Sequence, residues 1–149
     1  MSNFTTKQEV LFYCYTLNEK QRKKIDEFLQ LLNESGVSEV IQSSITDHNI
    51  GRPGFNPYAI FATVIYGFAV GTPTLRELES SCRYDLRFIY LMGGETPTYA
   101  TFANYINKVI APQADLIFAR IVQAILRRCG LTLDDCHIDG TKFEARANK

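Results

Sequence analysis

The chain has 149 residues, 46% of them hydrophobic, and its 16 basic and 16 acidic side chains balance to a formal net charge of zero. That length fits one domain, or one domain and part of another, and the apolar fraction excludes an intrinsically disordered chain. The neutral total excludes a uniformly basic nucleic-acid-binding domain, although it permits a basic face.

Cysteine spacing and targeting signals both favour a cytoplasmic protein. The four cysteines form no CxxC pair and have no matching histidine spacing, which argues against a zinc site and a disulfide framework. The N-terminus lacks the pattern of a signal peptide, and the longest apolar run, residues 59–70, is too short to cross a bilayer. We therefore expect a soluble cytoplasmic chain with no membrane partner.

The N-terminal part predicts two helices after an ambiguous segment. Residues 4–17 are apolar and aromatic, and they fit either a helix or a strand. Asn18 and Gly36 are the predicted caps of a helix that lies between them. A short helix over residues 38–43 and a polar loop over residues 46–55 are expected next.

The first helix has a basic cluster on the side opposite its apolar stripe. Four cations fall within five positions: Lys20, Arg22, Lys23 and Lys24. Such a run could contact phosphate groups. It is more typical of a solvated helix face, because Asp26 and Glu27 follow at once.

A buried central helix is predicted in the middle of the chain. Asn56 and Pro57 are typical of an N-cap and a first helical position, and the apolar residues up to Val70 predict burial nearly all round. Gly67 inside this helix costs about 1 kcal/mol relative to alanine. Close packing against a neighbouring helix is one reason for a glycine there.

Four further helices are predicted before residue 131. Thr72-Pro73 repeats the capping signal, and glycine or proline turns separate the elements that follow. The predicted ranges are residues 74–82, 85–92, 99–110 and 111–129. In the last of these helices one apolar face is expected, formed by Leu116, Ile117, Ile121, Ile125 and Leu126.

The short helices between residues 74 and 110 are joined by tight turns, as in helix-turn-helix DNA-binding domains. In that interpretation base contacts come from the start and the polar side of the helix over residues 99–110, through Thr98, Tyr99, Thr101, and Asn104 or Tyr105. Contacts to the phosphate backbone are then expected from Arg76, Arg83, Arg87 and Lys108. The alternative is an ordinary helical bundle with polar outer faces.

The C-terminal residues 133–145 predict a strand, a glycine turn and a second strand, with Ile138 and Phe143 as strand formers. Gly140 permits the positive φ of a tight turn, so Asp139 is expected at the end of a strand. A carboxylate held there suits a hard divalent cation such as Mg²⁺. The alternative is that Asp139 only caps the turn.

Two motifs in this order resemble parts of a known family. The stretch from Gly51-Arg52-Pro53 to Leu91-Met92-Gly93-Gly94 resembles the N-terminal domain of bacterial insertion-sequence transposases, and the segment from His137 to Ala145 resembles their first catalytic motif. These transposases are DDE-type enzymes with an RNase H-like core. In the family, three carboxylates hold two divalent metals, Mg²⁺ or Mn²⁺, for attack at a DNA phosphodiester.

The resemblance places Asp139 on the first of the three carboxylates and finds no match for the other two. The fold expected is mainly α-helical over residues 1–130, followed by the β-hairpin of a truncated RNase H-like domain over residues 131–149. An isolated hairpin is marginal in water, so it should pack on the helices, pair with another chain as in a homodimer, or be loosely ordered.

The function expected is that of the N-terminal portion of a transposase. It would bind the terminal inverted repeats of a mobile element, and the chain alone would be catalytically inactive. The alternative is a non-enzymatic helical interaction protein or DNA-binding regulator that derives from a transposase.

Overall fold

The computed structural model describes residues 17–47, 54–72 and 74–132, and within these ranges every regular element is a helix. Seven α-helices lie there: α1 (Glu19–Ser35), α2 (Val37–Asp47), α3 (Pro57–Ala69), α4 (Leu75–Tyr84), α5 (Leu86–Met92), α6 (Tyr99–Tyr105) and α7 (Ala114–Cys129). The π-helical turn Ile106–Ile110 and the 3-10 turn Ala111–Gln113 connect α6 to α7 without a break. The predicted mainly α-helical fold is confirmed.

Local capping groups determine where several helices begin and end, as the sequence predicts. The Asn18 side chain accepts a hydrogen bond from the backbone N–H of Lys20, and Gly36 ends α1 with a φ of 70°. The Asn56 side chain accepts from two N–H groups at the start of α3, directly before Pro57. These polar groups satisfy backbone donors that a helix start leaves without internal partners.

The N-cap of α4 is Thr74 rather than Thr72. The Thr74 hydroxyl accepts from the Glu77 N–H (3.2 Å), and the Glu77 carboxylate accepts from the Thr74 N–H (3.1 Å). This capping box satisfies two backbone donors at once, which explains why α4 begins at Leu75.

The second helix is longer than the predicted range of residues 38–43. The hydroxyls of Ser43 and Ser44 both donate to the Val40 carbonyl, so these polar residues bond back to the helix instead of ending it. The helix therefore continues to Asp47.

Three phenylalanines from different helices lie at the centre of the core. Phe61 in α3, Phe88 in α5 and Phe102 in α6 are all fully or almost fully buried. A Cβ atom at Gly67 would lie 2.9 Å from the Leu78 Cδ1 atom of α4, so the Leu78 side chain would have to shift to admit a larger residue. The prediction of close packing at Gly67 is supported for this side chain alone. The prediction that α3 is buried nearly all round is wrong at its C-terminal end, where Phe68 is 63% exposed.

Helix α7 closes the fold against α1 and α2. Arg120 donates to the Gly36 carbonyl (2.7 Å) and pairs with Glu39 (3.0 Å), while Arg128 pairs with Glu34 (2.8 Å). These contacts turn one side of α7 toward the N-terminal helices and leave another side in water.

The predicted apolar face of α7 is correct only in part. Ile117 and Leu126 are buried, but Leu116 and Ile125 are 47% and 42% exposed. Ile117, Ala124 and Leu126 are the residues of α7 that face the core, and the exact side of the helix that is buried is not given by the spacing of its apolar residues.

The continuous helical run Tyr99–Cys129 has 31 residues and is long and apolar enough to cross a membrane, by length and composition alone. Phe102 and Val109 from this run lie in the core of the helical domain. The expectation that no segment crosses a membrane was based on residues 59–70, and the absence of a membrane partner stays a prediction.

Two predictions fall on residues outside the ranges that the structure describes. The β-hairpin over residues 133–145 is one of them, together with the RNase H-like domain that it would begin. The helix-or-strand question over residues 4–17 is the other, apart from Leu17, which is buried.

Candidate nucleic-acid interface

The start of α6 packs against α4 through the carboxylate of Glu79. This carboxylate accepts a hydrogen bond from the Tyr99 backbone N–H (2.8 Å), and its other oxygen pairs with Arg83 (2.8 Å). The Arg76 guanidinium lies over the Tyr99 ring, 5.0 Å from its centroid, in a cation–π contact. Three of the residues predicted to contact DNA, Arg76, Arg83 and Tyr99, are thus brought together.

The first turn of α6 presents polar groups to solvent. Thr98 caps the helix by accepting from the Thr101 N–H, and the two threonine hydroxyls lie 3.1 Å apart. Thr101 is half-buried and Asn104, three residues further on, is exposed. Thr101 and Asn104 are spaced by three and share a face of α6, whereas Tyr99 lies about 140–200° around the helix from them, on the side of α4. We call the predicted DNA contacts of the two helices that are accessible to solvent the α4–α6 surface, defined by Arg76, Arg83, Tyr99, Thr101 and Asn104.

Lys108 lies in the π-helical turn that follows α6, and its side chain is exposed. Single π-helical turns are often found at functional sites, where the extra residue changes the direction of neighbouring side chains. Together with Arg76, Lys108 is a predicted DNA contact that forms no ion pair with a carboxylate within the described ranges.

Arg87, also predicted to contact DNA, is engaged by Asp85. The two side chains form several hydrogen bonds, the shortest of them 2.6 Å, and the Asp85 carboxylate also caps α5 by accepting from the Arg87 N–H. Partial burial pushes the pKa of Asp85 upward, but the hydrogen bonds and charge of Arg87 outweigh it, so that the pKa lies below its ordinary value. The guanidinium therefore has a structural partner that the sequence pattern did not show.

The expectation that Tyr105 lies on the polar side of α6 is wrong. It is 8% exposed, and its hydroxyl donates to the Pro57 carbonyl at the start of α3 (2.7 Å). Burial, with a smaller contribution from Tyr58, raises the pKa of Tyr105 above its ordinary value. Of the alternatives Asn104 and Tyr105, only Asn104 is accessible to a partner.

The described part of the chain contains no cluster of metal ligands, and one of its two cysteines, Cys82, is buried. Within residues 17–47, 54–72 and 74–132, no group of three or more His, Cys, Asp and Glu side chains could hold a metal ion. Burial raises the pKa of the Cys82 thiol to about 12, which leaves this cysteine unreactive. Asp139, the predicted metal ligand, lies outside the described residues.

Sequence reasoning missed the role of Glu79. Its spacing of four from Arg83 indicates an ion pair within α4, but its hydrogen bond to Tyr99 joins residues that are 20 positions apart. An apolar groove of about 250 Å³ between α3, α4 and the π-helical turn was also missed; Gly67, Phe68, Leu78 and Ile106 are among its lining residues. Both features depend on how the helices meet.

Comparison with known proteins gives one family. The family model described as "Transposase domain (DUF772)" matches residues 13–108, more than half of the chain, and includes α4, α5 and α6. No curated protein matches, and neither does any solved structure.

Proposed function

Because this chain belongs to the transposase-domain family (DUF772), we propose that its helices bind the terminal inverted repeats of a mobile DNA element through the α4–α6 surface. The observation that supports this proposal most is the family match itself, which covers every residue of that surface. The mainly polar, exposed start of α6 is consistent with a recognition helix of a helix-turn-helix domain.

The residues of the surface suit different parts of a DNA duplex. Asn104 is the exposed carboxamide that can pair with adenine in the major groove, and the methyl of Thr101 can contact thymine. Arg76 and Lys108 are proposed to contact phosphates, since neither has a carboxylate partner in the described ranges.

Arg83 and Arg87 are proposed as backbone contacts with different degrees of support. The Arg83–Glu79 pair lies at the surface, with the Arg83 side chain 48% exposed, and exposed pairs are weak enough to be exchanged for a phosphate. Arg87 has less support, because its guanidinium donates to both carboxylate oxygens of Asp85.

We further propose that Asp139 is the first metal-binding carboxylate of an RNase H-like, DDE-type catalytic site for Mg²⁺ or Mn²⁺. This assignment depends on the resemblance of residues 137–145 alone. Two metals need further carboxylates, and none is assigned within these 149 residues. We therefore expect no metal-dependent nicking of DNA by the 149-residue chain. Cleavage that disappears in Asp139→Ala would contradict this expectation.

The DNA-binding proposal is tested with a duplex that carries the inverted repeats flanking the gene and with a scrambled duplex of equal composition. We expect Asn104→Ala to weaken binding to the repeat by about 10-fold and to leave the scrambled duplex nearly unaffected, because a lost bidentate base contact costs about 1–3 kcal/mol. Gln123→Ala, which removes an exposed carboxamide from α7, is the matched control.

Equal affinity of the unaltered chain for both duplexes would remove the support for sequence-specific recognition. That outcome would favour the alternative, a helical interaction or regulatory protein derived from a transposase.

A further inference from the structure

The N-terminal half of α1 has an exposed cluster of cations, Lys20, Arg22, Lys23 and Lys24, which we call the α1 basic face. At 100° per residue, Lys20 and Lys23 lie on the side of the helix opposite the buried Ile25 and Leu32, and Lys24 lies on its flank, about 90° from that buried stripe. Because all three side chains are exposed, packing of the hydrophobic core does not depend on their charges.

The cations of this face have no anionic partner among the described residues. Eleven lysines and arginines are described, and the four in ion pairs are Arg83, Arg87, Arg120 and Arg128. Of the remaining seven, four fall within the five positions from Lys20 to Lys24. Glu19, Asp26 and Glu27 flank the run, so residues 19–27 carry four basic and three acidic side chains, and the excess positive charge is confined to residues 20–24.

The position of the cluster is unfavourable for the isolated helix. The N-terminus is the positive end of the helix dipole, where cations are disfavoured within the first turn, which here contains Lys20 and Arg22. Lys20 also lies three and four residues before Lys23 and Lys24, at spacings where like charges repel. A bound anion would relieve both effects, and burial of the side chains would not.

Closely spaced phosphates fit this arrangement. Lys20 and Lys24 are separated by about 6 Å along the helix axis, and a DNA strand has one phosphate for about every 3.4 Å of its axis. Because exposed charges are screened beyond about 8 Å at physiological ionic strength, the face acts on a partner in contact with it.

The α1 basic face is joined to the α4–α6 surface through the body of the domain. The Tyr90 hydroxyl of α5 donates to Asp26, one turn after Arg22 on α1 (2.8 Å). The turn over residues 93–98 connects α5 to the start of α6. The helix α6, which is proposed to hold DNA, and the basic residues of α1 are thus parts of one packed domain.

We propose that the α1 basic face binds the phosphate backbone of duplex DNA without regard to sequence. The proposal rests on the proposed function in that both surfaces use the same DNA, and it adds a second contact that supplies affinity instead of specificity. Anionic membranes would offer similar charges, so vesicles enter the test as a competing outcome.

The test compares the full chain with the variant Lys20→Gln/Lys23→Gln/Lys24→Gln on random-sequence duplex between 50 and 200 mM salt. If each lysine contacts one phosphate, the slope of log affinity against log salt becomes shallower by about 2.7. The unaltered chain then loses roughly 40-fold more affinity over this range than the variant does. Arg127→Gln removes an exposed, unpaired cation from α7 and serves as the control, for which no change is expected.

The outcomes separate this proposal from the proposed function. An unchanged slope in the triple variant, with repeat-specific binding intact, overturns the α1 contact and retains the α4–α6 surface. A reduced slope in a chain that does not distinguish repeat from scrambled duplex supports the α1 contact and overturns sequence recognition. Loss of binding to phosphatidylserine vesicles without any change on DNA overturns the proposal in favour of a membrane surface.

Discussion

The α4–α6 surface and the α1 basic face both contain basic residues, but these residues differ in whether they have a partner within the protein. On the first, Arg83 is paired with Glu79 and Arg76 lies over the Tyr99 ring. On the second, four neighbouring cations have no carboxylate partner in the described ranges. The Glu79 carboxylate joins α4 to α6, whereas the four cations of α1 join no helices, and α1 is held by Ile25, Leu32 and the Arg128–Glu34 pair.

This difference shows why a count of basic residues is a poor guide to a binding surface. A paired arginine helps to hold helices together, and a new partner must first displace the existing one. An unpaired lysine has only water to release. The two surfaces should therefore respond differently to substitution, and the experiments that follow run from the largest expected effect to the smallest.

The packing beneath the α4–α6 surface is tested by Phe102→Ala. Phe102 is fully buried, so we expect the free energy of unfolding to fall by about 3–5 kcal/mol, measured by urea unfolding. Tyr99→Ala, on the exposed side of the same helix, is the control and should cost much less. Similar losses for the two variants would contradict the assignment of inner and outer faces to α6.

The Asp85–Arg87 pair is tested by Asp85→Asn, which keeps a capping oxygen and removes the charge. Both side chains are about one-third exposed, so we expect a loss of about 0.5–1 kcal/mol at pH 7. The folded pKa of Asp85 is lowered, so this stabilisation is fully present above the unfolded pKa of about 3.9 and disappears as the pH falls through the folded value.

Urea unfolding of the unaltered chain and of Asp85→Asn at several pH values from 7 to 2 measures this dependence. The difference between the two proteins should narrow steadily in the acidic range. Glu95→Gln, at an exposed acid without an ion pair in the described ranges, should show no such trend. A difference that stays constant with pH would mean that the carboxylate charge does not stabilise α5.

The smallest effect is expected for the lysines of the α1 basic face. The triple glutamine variant removes charges that oppose the helix dipole and repel one another, so its thermal unfolding midpoint should be unchanged or slightly higher. A clear decrease would show that these side chains stabilise the fold, and the contrast between the two surfaces would then be lost.

Much of the helical framework is predictable from the sequence, because the signals are local. Asn18, Gly36 and Asn56 cap helices where the pattern places them. Capping depends on groups within three or four residues of a helix end, and these groups are adjacent in the sequence.

The candidate site is much less predictable, because it depends on contacts between distant residues. Tyr105 fits the polar side of α6 by its type, yet it turns inward and donates to a carbonyl 48 positions away. Arg87 has an acid two positions before it, but only the folded geometry at the start of α5 shows that Asp85 holds it. The direction of a polar side chain is decided by the neighbouring helix, about which local spacing contains no information.

The contacts of α7 also affect the order in which parts of the protein can pack together during synthesis. Arg120 and Arg128 reach partners 81 to 101 positions earlier in the chain, on α1, α2 and the turn between them. On the ribosome, the segments that form α4, α5 and α6 are therefore translated before the last helix can join the first. The N-terminal helices can therefore contact α2, α3 and α5 first, and the ion pairs that tie them to α7 form only after residue 128 has been translated.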